Sequence, residues 1–291
     1  MISLLFFRIR KIINGGMKLE EINISIERKQ LSKRKFKWSN LVDEILMFGV
    51  PIIIILIWEI SSRLGILNAS ILPAPSTIWD TLVSMIVSGE IFIHLETSLL
   101  RVIKGYALGS FLGITLGTLM GLIKKLDRAL TFIVGIFRPI PVIAWVPILI
   151  LWLGIDEASK VTVITIGSFW PILLNTIHGI KNTDKKYLEL AYTLEKSKRV
   201  ILFKIILPSA LPSIFTGLRI GIGNAWMSVV GAELIAAASG IGYLISYARE
   251  LSQPDVMLVG VCSIGIIGLL IDLIIKGIEK RVLRWNINIQ S

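Results

Sequence analysis

The sequence predicts an all-α membrane protein with about six transmembrane helices. Its 291 residues are 54% hydrophobic and 18% charged, with a mean hydropathy of +0.77, whereas about a quarter of a soluble domain is charged. The apolar residues gather in long runs, and Lys and Arg are distributed unevenly between the connections. Together these observations indicate that lipid surrounds most of the chain.

Six apolar runs are candidate membrane spans. A helix needs roughly 20 residues to cross the hydrocarbon core of a bilayer, and in lipid the backbone polar groups must be satisfied within the segment, which favours helices. The first run is the shortest. The candidates are residues 44–60, 102–123, 130–153, 161–180, 214–238 and 256–275.

The positions of Lys and Arg predict the orientation of these spans. If the first helix runs outward, the inner side collects 24 of the 31 basic residues and the outer side five. Arg138 and Arg219 complete the set, at membrane depth or near the inner interface. We therefore expect a multi-pass protein of the cell membrane with both termini in the cytoplasm. Topology and anionic lipid explain the net charge of +11, so nucleic-acid binding is not required.

Residues 1–40 are predicted to form a basic cytoplasmic arm that interacts with lipid headgroups. The segment begins apolar and then turns basic, which is the reverse of a secretory signal. Met17 is an alternative start. Residues 41–291 are expected to form the transmembrane domain, with a cytoplasmic loop at 181–210.

Glycine and proline mark two of the spans. Five glycines recur every four residues in the second span, which predicts close helix packing, within one subunit rather than at a moving or dimer-forming interface. Prolines in the third span predict that it borders a polar path, with a plain kink as the alternative. The residues are Gly105, Gly109, Gly113, Gly117 and Gly121, and Pro139, Pro141 and Pro147.

Ionisable residues at membrane depth are few, and such residues often mark a pathway. For Glu233 we expect either a position facing the path or one in a structural pair or at the outer interface. Asp272 lies four residues before Lys276, which favours an ordinary i,i+4 ion pair. Arg219 is expected to reach the lipid headgroups.

Catalytic chemistry is not expected. Cys262, His94 and His178 are the only cysteine and histidines, and the two histidines are predicted on opposite sides of the membrane, so an intramembrane hydrolase lacks its nucleophile and base or its metal cluster. No GxxxxGK[ST] motif occurs, so the chain has no ATPase site of its own. We expect a protein that is not an enzyme and holds no cofactor.

The segment KNTDKKYLELAYTLEKSKRVILFKIILP, residues 181–208, predicts two short amphipathic helices. Asn182, Thr183 or Asp184 can cap the first helix, and Ser197 the second. The second helix is expected to end at Leu207-Pro208. Such helices suit docking into a groove of a partner, or lie on the bilayer or under the spans. Their apolar stripes are Tyr187, Leu190, Ala191 and Leu194, then Val200, Ile201, Phe203 and Ile205.

The spacing within this segment resembles the cytoplasmic EAA loop of ABC importer permeases: Glu189-x-Ala191 is followed by Ile205-x-Leu207-Pro208. Residues 207–245 are similar to the subfamily that carries nitrate, sulfonates, taurine or bicarbonate. LPAPSTIW (72–79), RPIPVIAWVPILILWLG (138–154) and FWPILLNTIHGI (169–180) are also similar, and the resemblance extends from about residue 60 to 285.

Two residues depart from the family pattern. Leu190 stands where a small residue is usual, and Glu195 where glycine is usual. If the backbone at Glu195 is left-handed, a residue other than glycine costs on the order of 1 kcal/mol.

The resemblance implies a type I ABC importer permease that forms the path for a small solute, such as the anions nitrate, a sulfonate, taurine or bicarbonate. It implies two ABC ATPase subunits that bind ATP and Mg²⁺, an extracytoplasmic solute-binding protein, and a second permease copy, most simply in a homodimer. The implied ATPase-coupling residues are Glu189, Leu190, Ala191, Glu195, Val200, Phe203, Ile205, Leu207 and Pro208. We expect the translocation path to include Trp145, Gly221, Asn224, Trp226 and Glu233.

The alternative function is a secondary transporter driven by an ion gradient. Such transporters usually contain internal repeats with paired broken helices. No duplicated half is evident in this sequence, and the charged loop would have no role.

Overall fold

The computed structural model describes residue 47 and residues 49–284, which belong to two compact units, Met1–Leu67 and Asn68–Ser291. In the first unit, helix α1 covers residues 49–63, and its large apolar side chains from Ile52 to Ile57 are exposed. The predicted span at 44–60 lies partly, and the predicted arm at 1–40 entirely, outside the described residues.

The described part of the second unit is helical and contains no strand, which confirms the all-α prediction. A 3-10 turn, Val142–Trp145, precedes α5, and a π-helical segment, Leu202–Ile206, joins α8 to α9. The helices are α2 Pro75–Val87, α3 Glu90–Leu122, α4 Lys124–Phe137, α5 Val146–Leu153, α6 Glu157–Lys181, α7 Lys185–Thr193, α8 Lys198–Ile201, α9 Leu207–Ala236, α10 Ile241–Glu250 and α11 Pro254–Val282.

Among the described residues, four helical stretches are long and apolar enough to cross a membrane, or five if one bent pair counts as a span. The four contain α3, α6, α9 and α11, so four of the six predicted spans are confirmed. The third predicted span, 130–153, corresponds to this bent pair: α4 and the segment Val142–Leu153 are bent by 88° at residues 138–141, so the kink given as an alternative is present. Pro139 and Pro141 remove two backbone donors there, which explains the break.

Helix α6 lies between α3 and α9 and forms the centre of the fold. A Cβ added at Gly109 of α3 would lie 2.1 Å from Ser168 Oγ and 2.8 Å from the Thr165 carbonyl oxygen of α6. On the other side of α6, a Cβ at Gly217 of α9 would lie 2.8 Å from Asn175 Cβ. The glycines of α3 therefore mediate a contact within one subunit, as predicted.

Two helices, α2 and α10, were not predicted from the sequence. They have 13 and 10 residues, too few to give a membrane-span signal. Pro75 occupies the first turn of α2, where its missing N–H costs no helical hydrogen bond. Thr81 Oγ1 of α2 donates to Asp255 Oδ2 at 2.8 Å, which attaches α2 to the start of α11.

Ion pairs join α9 to α11 near the end of the spans that carries α7. Lys276 Nζ lies 2.7 Å from Asp272 Oδ2, which confirms the predicted i,i+4 pair. Arg219 Nε donates to Asp272 Oδ1 at 2.8 Å. Arg219 is therefore paired with a carboxylate of the same chain, whereas the sequence predicted a side chain that extends to the headgroups.

We predict that Gly109→Ala destabilises the fold. The new methyl group would overlap the Thr165 carbonyl oxygen, so α3 and α6 would have to separate, and overpacking of this kind costs about 1–3 kcal/mol. Thermal unfolding of the purified protein in detergent measures the loss.

Gly265→Ala in α11 is the matched control, because an added Cβ there meets nothing within 4 Å. Its unfolding temperature should equal or exceed that of the original protein, since alanine favours a helix. Equal stability of the two variants would contradict the close contact of α3 with α6.

Candidate functional site

The hairpin, residues 181–208, begins at a capped helix. Asp184 occupies the N-cap of α7, and its side chain accepts a hydrogen bond from the Lys186 backbone N–H at 2.9 Å. Of the three capping residues that the sequence allowed, the structure selects Asp184. Ser197 occupies the N-cap position of α8, as predicted, but makes no side-chain capping bond.

The turn after α7 requires a left-handed residue. Glu195 has a φ of 49°. Its N–H donates to the Tyr192 carbonyl oxygen and the Lys196 N–H donates to the Ala191 carbonyl oxygen, each at 3.0 Å. These two bonds form a Schellman motif, in which glycine is the usual left-handed residue. The left-handed backbone that the sequence left open at Glu195 is therefore present.

The second helix of the hairpin does not end at Pro208. The chain remains helical from Lys198 through the π-helical segment into α9, so the prediction of a separate short helix is wrong. The Leu207 N–H donates to the Leu202 carbonyl oxygen, five residues back. This wider turn accommodates the proline, which lies in the first turn of α9 and needs no N–H partner there.

An apolar groove of about 480 Å³ lies between α7 and the π-helical segment. Ala191, 3% exposed, is the buried apolar residue of α7, whereas Leu190 is 58% and Leu194 56% exposed. The predicted residues Leu190, Ala191, Val200, Ile205 and Pro208 line the groove together with Tyr187, Leu194, Lys196, Lys204 and Ser209. The apolar pattern did not predict that Lys196, Lys204 and Ser209 line the groove, because such a pattern contains no signal for polar residues.

The other predicted coupling residues do not line this groove. Glu189, Glu195 and Phe203 are exposed, and Leu207 is half-buried. Phe203 exposes 66% of its surface and Tyr192 of α7 exposes 65%. Both belong to the segments that form the groove, and exposed apolar and aromatic surface is typical of a site that binds another protein.

Glu233 lies in a buried polar network at the other end of the spans. Its carboxylate accepts hydrogen bonds from Ser98 Oγ at 2.9 Å, Arg101 Nη1 at 2.8 Å and the Gly242 backbone N–H at 2.9 Å. Arg101 also donates to the Glu157 carboxylate of α6 through Nε at 2.8 Å. The network thus joins α3, α6, α9 and the first turn of α10.

The structural-pair interpretation of Glu233 therefore describes its position better than a position facing the path. The side chain is 0% exposed, and all its partners belong to the same chain. An added Cβ at Gly240 would lie 2.3 Å from its carboxylate, so the turn before α10 closes over it. Arg101 is 132 residues away in sequence, and no local pattern predicts such a pairing.

Two more of the predicted path residues pack inside the chain. Gly221 contacts Ile172 of α6, and Trp226 is buried with its Nε1 donating to the Ile264 carbonyl oxygen at 3.0 Å. These positions do not support direct contact with a solute. Trp145 is half-buried beside Phe137, whereas Asn224 is exposed.

The fold and this site define a class: a polytopic membrane protein with an apolar groove on the hairpin that follows its central helix. Among the described residues, no group of His, Cys, Asp and Glu could hold a metal ion. Residues 109–284 match the family model described as "Binding-protein-dependent transport system inner membrane component". The chain belongs to this family, and it is the permease subunit of an ABC importer.

Curated relatives cover most of the chain. The putative aliphatic sulfonates transport permease protein SsuC of Bacillus subtilis is 37% identical, covering 92% of this chain and 95% of the relative. The taurine transport system permease protein TauC of Escherichia coli is 31% identical, covering 92% and 100%. The bicarbonate transport system permease protein CmpB of a Synechocystis species is 36% identical, covering 78% and 85%.

Solved structures show the same fold. The inward-facing MetNI methionine ABC transporter matches with a TM-score of 0.55 and 20% identity, covering 64% of this chain and 91% of that chain. An amino acid ABC transporter with histidines matches with a TM-score of 0.57 and 16% identity, covering 70% and 98%. These structures confirm the type I importer fold. Membership of the permease family rejects the secondary-transporter alternative.

We predict that Glu195→Gly stabilises the hairpin. Glycine adopts a positive φ without the steric penalty of a side chain, so the gain should be about 1 kcal/mol. Hydrogen exchange of the α7 amides measures this local stability. Glu195→Ala keeps the penalty and should bring no gain; equal protection in the two variants would contradict the argument.

We predict that Glu233→Gln destabilises the protein by about 3 kcal/mol, because it leaves Arg101 buried with one charged partner fewer. Thermal unfolding in detergent measures the change. Glu250→Gln removes the same charge from an exposed position in the last turn of α10 and should unfold like the original protein. Unchanged unfolding of Glu233→Gln would show that the network adds no stability.

Proposed function

We propose that the groove of the hairpin binds the ATPase subunit of the importer. The supporting observation is the apolar floor at Ala191 beside exposed aromatic residues, on a surface that would otherwise be solvated. An apolar helix of the partner would fill the groove, as in other helix-in-groove complexes. Tyr187, Leu190 and Leu194 would contact it from the α7 side.

The basic residues at the groove indicate that the partner surface is acidic. Lys196 and Lys204 line the groove, and Lys198 and Arg199 are exposed beside it. A partner whose docking helix carries carboxylates around an apolar centre complements this surface. Glu189, exposed on α7, would accept a hydrogen bond or an ion pair from the same partner.

The hairpin is built to transmit movement. Because the chain stays helical from Lys198 to Ala236, a force applied at the groove acts directly on α9. Movement of two docked ATPase subunits, which bind ATP and Mg²⁺, would then switch the spans between inward-open and outward-open states. No cofactor is needed in this chain.

The proposed arrangement places the hairpin and both termini in the cytoplasm of a cell with the protein in its plasma membrane. The distribution of Lys and Arg supports this orientation. A second permease copy completes the path, most simply as a homodimer, and an extracytoplasmic binding protein delivers the solute.

The proposed solute is a small molecule with an anionic group. The relatives are described as transporting aliphatic sulfonates, taurine and bicarbonate, all of which carry an oxyanion. An aliphatic sulfonate is the first candidate, because the sulfonate permease of Bacillus subtilis covers 92% of this chain at 37% identity.

We predict that Ala191→Leu weakens docking of the ATPase. The larger side chain would occupy the floor of the groove, and the amount of ATPase subunit that copurifies with the permease should fall about tenfold, equivalent to about 1.4 kcal/mol. Thr193→Leu is the matched control, because Thr193 is exposed on α7 and does not line the groove.

Uptake by vesicles that contain the permease, its ATPase and its binding protein should show the same pattern. It should require ATP, resist an uncoupler, fall with Ala191→Leu and persist with Thr193→Leu. Normal uptake and normal copurification with Ala191→Leu would contradict docking at this groove.

A further inference from the structure

Arg138 is an isolated charge in the middle of an apolar segment. It is the only charged residue between Ala129 and Gly154. It lies at the C-cap of α4, where the chain bends by 88° before the 3-10 turn. The residue is exposed, and no carboxylate of the described residues forms an ion pair with it.

Two other arginines of the spans, unlike Arg138, have carboxylate partners. Arg101 is paired with Glu157 and Glu233, and Arg219 with Asp272. An arginine at the centre of a span costs about 2.5–3.5 kcal/mol on insertion scales. Such residues face a protein interior or a water-filled cavity, so Arg138 requires an anionic partner from outside the described chain, or water.

The 3-10 turn that follows the bend contacts α9. Ile143 of the 3-10 turn packs on Gly231 of α9: an added Cβ at Gly231 would lie 3.2 Å from Ile143 Cδ1. Asn224 lies seven residues earlier on α9, about two turns or 10 Å along the helix axis. The exposed residues Ile220, Gly223, Asn224 and Met227 follow helical spacing and form one stripe.

This stripe combines two apolar side chains, Ile220 and Met227, with positions that suit a polar path. It contains an amide and a glycine, and an added Cβ at Gly223 meets nothing within 4 Å. Polar side chains in a span usually face the protein interior or a cavity, where they find hydrogen-bond partners. The opposite side of α9 is occupied, since Gly217 and Gly221 contact α6.

We propose that Arg138 and Asn224 bind the oxyanion of the transported solute. A guanidinium presents N–H donors in a planar fork that matches two oxygens of a sulfonate or a bicarbonate, and the Asn224 amide can donate a further hydrogen bond. This inference rests on the proposed function and adds to it the residues that select an anion.

Transport by the complete importer, with its ATPase and binding protein in vesicles, tests the proposal with ethanesulfonate as the probe. Arg138→Gln should lower uptake at least tenfold, and Arg138→Lys, which keeps the charge but loses the fork, should lower it less. Arg128→Gln is the matched control, because Arg128 is exposed near the start of the same helix; it should transport normally.

The possible results separate the inference from the proposed function. Normal ATP-dependent uptake by Arg138→Gln would overturn the inference and leave the importer intact. If Arg138→Gln also lost binding to vesicles of anionic phospholipid while it transported normally, the group that Arg138 binds would be a lipid phosphate rather than the solute, and the inference would fail. If the original importer takes up only neutral or cationic solutes with ATP, the anion assignment is wrong. If it shows no ATP-dependent uptake, the proposed function fails together with the inference.

A labelling measurement does not depend on transport. Asn224→Cys, in a Cys262→Ser background because Cys262 is exposed, is treated with thiol reagents that carry either a sulfonate or an ammonium group. With Arg138 present, the anionic reagent should react several-fold faster relative to the cationic one than with Arg138→Gln. An unchanged ratio in folded protein would show that Arg138 does not act on this stripe.

Discussion

Close contact between helix backbones at α6 is the constraint on which the rest of the structure depends. Within lipid, helices gain little from hydrophobic burial against one another and associate through packing, which small residues permit. Glycines of α3 meet α6 on one side, and Gly217 and Gly221 of α9 meet it on the other. Because α6 ends at Lys181 and α7 begins at Lys185, the same contact fixes where the hairpin emerges.

The polar network around Glu233 completes this core at the opposite end. A buried carboxylate is costly unless donors surround it, and here Ser98, Arg101 and the Gly242 N–H provide them. The network connects the end of α9 to α3 and α6, while Arg219 and Asp272 connect α9 to α11 nearer the hairpin. Helix α9 is therefore held at both ends, and its movement must carry its neighbours.

Local patterns in the sequence predicted much of the fold and part of the site. Four of the six spans and the cap at Asp184 depend on residues close together in the chain, and the structure confirms them. The structure also shows the left-handed backbone that the sequence left open at Glu195. The partners of Glu233 could not be predicted, because Ser98 lies 135 residues away. Helices α2 and α10 were missed because they are short. Pro208 was misread as a helix end because a π turn, which has no sequence signature, accommodates it.

Helix α9 is held at both ends, whereas α4 is followed by a sharp bend. This difference indicates where the path can change shape. From Lys198 to Ala236 the chain is one helical stretch of roughly 58 Å, longer than the hydrocarbon core of about 30 Å. Its ends cannot move independently without breaking helical hydrogen bonds. Helix α4 has no buried residue and is followed by a sharp bend, so fewer contacts oppose its displacement. Arg138 lies at this bend, and a shift of α4 relative to α9 would therefore move its charge with respect to Asn224. If the groove binds the ATPase and Arg138 binds the anion, as proposed above, this displacement would couple docking to release of the anion.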